Sequence, residues 1–308
     1  MNAQTNAVPE SPLDPRAVMP ADMAATRPLY WSIRRELWEN RSIYIAPLVV
    51  AAVALLGFLI STIGLPERRR ALLLLDPAQQ QSAIERPYDI AAMLLILTVF
   101  LVGMFYCLDA LHGERRDRSI LFWKSLPVSD LTTVLSKASI PLVILPLLAF
   151  AIIVATQLIM LLMTTVILLP SGLSATTWTR LPLLESSLIL PYGLLALALW
   201  HAPIYGWLLL VSGWARRTTF LWAVLPPLAL CIVEKIAFNT SHLASLLKYR
   251  LIGFAAEAFA FGTHGTIQSL EQLTPGKFLS TPGLWIGLAF AAAFCFAAVR
   301  LRRYREPI

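Results

Sequence analysis

The chain has 308 residues, of which 57% are apolar or aromatic and only 14% charged, with a formal net charge of +7. Its mean hydropathy is +0.69. A water-soluble domain carries roughly 25% charged residues, so this composition excludes a soluble globule and leaves a chain that lives mostly in lipid.

Residues 1–26 are rich in Pro, Ala and acidic or amide residues and contain no apolar signal-peptide core, so they read as a disordered cytoplasmic tail. An amphipathic surface helix is expected over 27–42: Tyr30, Ile33, Leu37 and Trp38 recur at helical spacing, while Arg34, Arg35, Glu36, Glu39 and Arg41 cover the rest. Such a helix lies flat on a leaflet, with Trp31 and Trp38 at headgroup depth.

Six apolar runs follow, at 43–64, 90–111, 140–169, 187–211, 219–238 and 283–299. Each approaches or exceeds the roughly 20 residues that cross about 30 Å of hydrocarbon as a helix, and none alternates as a barrel strand does. The predicted fold is therefore all-α, a polytopic six-helix membrane domain over 43–299.

Between the second and third runs, His112 to Lys137 begins with charge and continues with an apolar block, Ile120 to Trp123. A break follows at Pro127, and Ser129 is placed as the N-cap of a helix leading into the third run. The segment 239–282 has helical spacing at Leu243, Leu246, Leu247, Leu251, Phe254 and Ala258, interrupted by Lys248, Arg250 and Glu257, and suits an interface better than a span. A basic tail over 300–308 closes the chain.

Of the 25 Lys and Arg residues, 16 fall on the side that holds the N-terminus and 8 on the other, with Lys235 inside a run. The positive-inside rule thus favours both termini in the cytoplasm, against the local exception Arg68, Arg69 and Arg70. Arg300, Arg302, Arg303 and Arg305 directly follow the last span, which fits anionic headgroups rather than nucleic acid.

Ionisable residues inside spans are costly and are functional candidates by default. Asp109 lies at the inner end of the second run, one turn from His112. His201 sits mid-way through the fourth run, placed for a hydrogen bond between helices, and Glu234 near the outer end of the fifth is expected to snorkel or to pair with another span. Pro141, Pro146, Pro203, Pro226 and Pro227 are expected to kink their helices.

No catalytic constellation is present: there is no H-E-x-x-H and no G-x-S-x-G, and His112, His201, His242 and His264 lie at different depths. Cys107, Cys231 and Cys295 all fall in apolar runs without metal-ligand spacing. There is also no G-x-x-x-x-G-K-[ST]; the Gly276-Lys277 pair has Glu271 where the first glycine belongs. No catalytic residue, metal ligand or cofactor is assigned to this chain.

Three stretches carry a family resemblance: Ser32 to Arg41, Glu114 to Pro127, and Leu199 to Pro203 through Trp214-Ala215-Arg216-Arg217 to Leu225-Pro226-Pro227. Together with the six-run layout, the chain from residue 27 onward resembles the permease subunits of ABC-2-type transporters. The resemblance implies an exporter subunit of a bacterial cytoplasmic membrane. In it, residues 114–126 form a coupling helix that docks on a separate ATPase through Glu114, Arg115, Arg116, Asp117, Arg118, Phe122, Trp123 and Lys124, with Arg34, Arg35, Glu36, Trp38 and Glu39 beside it. It further implies two ATPase copies holding ATP and Mg, a second copy of this permease or a related one, contact with membrane lipid, and re-entrant helices within 239–282.

The cargo class in keeping with weakly charged, aromatic-rich spans is a lipid, amphipathic peptide or hydrophobic drug. A secondary transporter and a non-transporting sensor or scaffold subunit stay open as alternatives; the first wants charged pairs and an internal repeat within the spans, and neither is seen.

Overall fold

The computed structural model describes residues 28–120, 128–173, 178, 183–260 and 270–304. Among these, all regular structure is helical apart from one isolated β-bridge, Phe259 to Leu273. Six helices are long and apolar enough to cross a membrane, the architecture of a multi-pass membrane protein. The first span is Ser42–Ser61, and the second, Pro77–Ala110, continues after a break into a short helix, His112–Arg116. The third is built from Asp130–Ser139, a π-turn at Ile140–Ile144 and Leu145–Leu168. Leu183–Trp214, Thr219–Phe238 and Pro282–Tyr304 are the fourth, fifth and sixth.

Because the spans alternate in direction, one end of the bundle gathers the surface helix Pro28–Glu39, the His112–Arg116 helix, the start of the third span and the end of the sixth. This is called the charged end here; the other is the far end. Spans two, three and four form the core around Leu95, Tyr106, Cys107, Leu145, Ile153 and Leu209. Span six joins by close approach to span four: a Cβ on Gly206 would lie 3.2 Å from the Ala291 backbone, so glycine sets that separation. Span five stands apart, with Ala223 its one buried residue.

Where apolar runs mark the spans, the third, fourth and sixth helices extend them at both ends or one, the fifth coincides with its run and the first ends at Ser61. The second starts at Pro77 instead of 90, because its polar first turns find partners: Gln80 Nε2 donates to the carbonyls of Leu73 (3.3 Å) and Leu75 (2.8 Å). Of the expected proline kinks, Pro141 is absorbed by the π-turn, in which the Leu145 amide reaches back to the Ile140 carbonyl. Pro203, Pro226 and Pro227 lie inside continuous helices.

Candidate functional site

The surface helix turns inward only part of the face its apolar residues mark. Ser32 and Glu36, four residues apart, are buried, Ile33 and Leu37 pack beside them, and Tyr30, Trp31 and Trp38 face outward. Glu36 is 0% exposed. A lone carboxylate in such a place is untenable, and the fold supplies partners from its own helix and from two other segments.

Lys137 Nζ, from the first turns of span three, donates to Glu36 Oε1 at 2.9 Å and lies 3.1 Å from Glu114 Oε1. Arg35 bridges the same two carboxylates at 2.6 and 3.1 Å. Tyr106, from span two, donates its hydroxyl to Glu36 Oε2 at 2.8 Å. Arg302, at the end of span six, pairs with Glu114 Oε2 and with Asp130 at 3.0 Å. Three cations, Arg35, Lys137 and Arg302, thus meet three anions, Glu36, Glu114 and Asp130.

The balance matters because desolvation exceeds the Coulombic gain unless each buried charge is paired and hydrogen-bonded. At Glu36 burial by itself would push the carboxyl up, yet Lys137 and Arg35 more than offset it and hold the group below the usual carboxylate range. Arg35 shows the counterpart: burial works against its charge, and Glu36 then raises its affinity for the proton above the ordinary guanidinium value.

A second set of bonds fastens the His112–Arg116 helix to the end of span four. Ser212 Oγ accepts from the amides of Leu111 and His112, both at 2.9 Å. Arg115 donates to the carbonyls of Gly213 (2.9 Å) and Ala215 (3.3 Å). The last carbonyls of a helix lack intrahelical donors and carry partial negative charge, which a guanidinium satisfies on both counts.

The residues singled out from sequence therefore divide. Glu36, Glu114 and Arg115 are buried inside the chain and serve its own architecture. Arg35 is half-buried between Glu36 and Glu114, and Glu39 is exposed, 3.6 Å from Arg35. Arg34 and Trp38 face outward, with the guanidinium 4.7 Å from the Trp38 ring and 5.3 Å from that of Trp31. Arg116 and Asp117 are exposed and paired at 3.1 Å. Arg118 is exposed as well, with a left-handed φ of 58°. Phe122, Trp123 and Lys124 lie outside the described residues.

Asp109 contacts Arg116 at 4.0 Å, while His112 Nδ1 lies 3.3 Å from the Ala215 carbonyl. His201 does reach between helices: Nδ1 lies 2.8 Å from the Leu197 carbonyl and Nε2 3.2 Å from that of Leu251. A neutral imidazole donates from one nitrogen at a time. Glu234 does something else than expected. It accepts from Thr240 Oγ1 (2.7 Å) and from the amides of His242 (2.7 Å) and Leu243 (2.8 Å), and so satisfies the start of the next helix.

Lys137, Arg302, Tyr106, Asp130 and Ser212 complete the site and are absent from the sequence-based set. Lys137 carried the one available signal, a charge on a helix with Val134, Ala138 and Ile140 three or fewer residues away, just before an apolar run. Among the described residues no cluster of three or more metal-ligating side chains forms. No known family, curated protein or solved structure matches the chain.

Proposed function

We propose that the chain is the membrane-pathway subunit of an ATP-driven transporter, with the charged end facing the cytoplasm and docking a separate ATPase. The observation that carries this reading is the buried ion cluster. It ties the surface helix, the His112–Arg116 helix and the ends of spans three and six into one body, while Arg115 and Ser212 add span four. A push on that body reaches spans two, three, four and six together. Its outer surface keeps Arg34, Trp38, Arg116, Asp117 and Arg118 for a partner.

ATP binds to the partner in this scheme and acts only through contacts that differ between two states of the assembly. The nearly bare apolar faces of span five, among them Leu225, Leu228, Ile232 and Ile236, support a second permease copy completing the pathway. An amphipathic or lipid-like cargo suits those surfaces.

The test uses the full chain reconstituted with a candidate ABC-type ATPase subunit from the same organism. The double reversal Arg116→Glu with Arg118→Glu is expected to abolish permease-stimulated ATP hydrolysis with membrane insertion intact, since both side chains are exposed. Undiminished stimulation removes this surface from the interface, and a chain that binds no ATPase sinks the reading.

A further inference from the structure

Helix His242–Ile252 follows span five and carries Lys248 and Arg250 but no acidic residue. It packs against the middle of span four: Trp200 Nε1 donates to the Arg250 carbonyl at 3.0 Å, and the Arg250 guanidinium lies 4.7 Å over the Trp200 ring. Trp200 is 14 residues from the end of its helix at Trp214, about 21 Å at 1.5 Å per residue. With Trp214 set at one boundary of hydrocarbon about 30 Å thick, the guanidinium falls inside the apolar layer, nearer the opposite face.

At that depth a cation needs an anion or a dense set of acceptors. Arg250 has Nη1 on the Trp200 carbonyl at 3.2 Å and Nη2 on the Gly283 carbonyl at 2.8 Å. Those contacts use two of five N–H donors and leave the formal charge in place. Among the described residues no carboxylate pairs with it. Glu257, on the next helix, is engaged by Lys277 at 3.4 Å and by the Tyr249 hydroxyl at 3.1 Å.

Gly287 of span six leaves the room that the guanidinium fills, since a Cβ there would overlap it. The side chain remains partly exposed, and Leu246, Leu247 and Ile252 present bare apolar surface on the same helix.

We propose that Arg250 holds the phosphate of an anionic lipid headgroup where helix His242–Ile252 meets spans four and six, with the acyl chains along Leu246, Leu247 and Ile252. An unneutralised cation beside exposed leucines, open to the bilayer just beneath one face, complements a molecule that joins a negative head to an apolar tail. A membrane lipid reaches this place by lateral diffusion, whereas a soluble anion has to leave water to do so. The site requires only that the six helices cross a bilayer; it does not depend on an ATPase partner.

The full chain is placed in phosphatidylcholine nanodiscs doped with a headgroup-proximal photoreactive phosphatidylglycerol or, separately, with the matching phosphatidylcholine probe. Labelled peptides are then mapped. Phosphatidylglycerol is expected to label 242–252 and 283–290 about fivefold more than the zwitterionic probe, the factor that one basic residue near a headgroup contributes. Arg250→Gln is expected to remove that preference, while Arg250→Lys keeps most of it and excess inorganic phosphate leaves it intact.

Equal labelling of the wild-type chain by both probes overturns the proposal whether or not the variants fold. So does a folded Arg250→Gln chain that labels as the wild type does. Full protection by inorganic phosphate assigns the site to a free anion and overturns the lipid.

Discussion

The two ends of the bundle bury cations by opposite means. At the charged end, Lys137 and Arg302 are 2% and 5% exposed and meet carboxylates delivered from distant segments. At the far end, Arg250 is held by two main-chain carbonyls and an indole face. Pairing with carboxylates locks several elements at once, because Glu36 and Glu114 each have two oxygens and accept from two or three of them. Carbonyls carry no charge, so those of Trp200 and Gly283 join Arg250 to spans four and six without neutralising it. The charged end is thus built as a single body, and the far end keeps one cation with donors to spare.

The largest expected break is Glu36→Ala. It strips Lys137 of one of its two carboxylates and the Tyr106 hydroxyl of its acceptor. Removing one partner of a buried ion pair costs about 3 to 5 kcal/mol, which thermal unfolding in detergent would register as a large fall in midpoint. Acid probes the same group without mutation. The folded Glu36 carboxyl titrates below its ordinary value, so its contribution is complete above about pH 4.3 and is lost as pH falls through the lower, folded value. The Glu36 share of stability is expected to hold from neutrality to about pH 5 and to drop below pH 4. Glu36→Gln is expected to remove the Glu36 share of that drop, and an acid limb of unchanged height would show that other carboxylates supply it.

At the far end the corresponding change is smaller. Trp200→Phe keeps an aromatic face under Arg250 but removes the donor to the Arg250 carbonyl. A lost hydrogen bond plus a weaker ring contact amounts to about 1 to 2 kcal/mol. A loss as large as that of Glu36→Ala would mean that the two ends are equally interlocked.

Much of the architecture was legible in the sequence and the interior of the charged end was not, for a physical reason. Hydropathy reports the average solvent of a segment, so all six spans emerged, and local rules placed Ser129 at a helix start. Glu36 obeys no local rule. Its polarity assigns it to the wet face of the surface helix, and Lys137, 101 residues away, together with Arg35 and Tyr106 makes burial tolerable. Arg302 likewise reads as one more charge in a basic tail until Glu114 and Asp130 come beside it. The second span was read short at Pro77–Asp89 because Gln79, Gln80, Gln81, Glu85 and Arg86 lower its hydropathy, although backbone carbonyls from the preceding turn accept Gln80. Long-range complementarity between polar groups is the information that a single sequence hides.

The smallest effect tests whether the charged end is one unit down to its local caps. Ser129 Oγ accepts from the Thr132 amide at 3.1 Å and so starts the helix whose first residue, Asp130, pairs with Arg302. Ser129→Ala costs about 1 kcal/mol as a lost N-cap. If the cap acts only on its own turn, the same loss appears in an Asp130→Asn background. If instead the cap holds Asp130 where Arg302 meets it, part of the loss has already been incurred there, and the double-mutant cycle shows a coupling above about 0.5 kcal/mol. Coupling is the expected result, because Ser129 and Asp130 share one helical turn and Arg302 is 5% exposed, with little water to replace a displaced carboxylate. Strict additivity would separate the Ser129–Asp130 turn from the ion cluster and confine the rigid body to Glu36, Glu114, Lys137 and the groups that touch them.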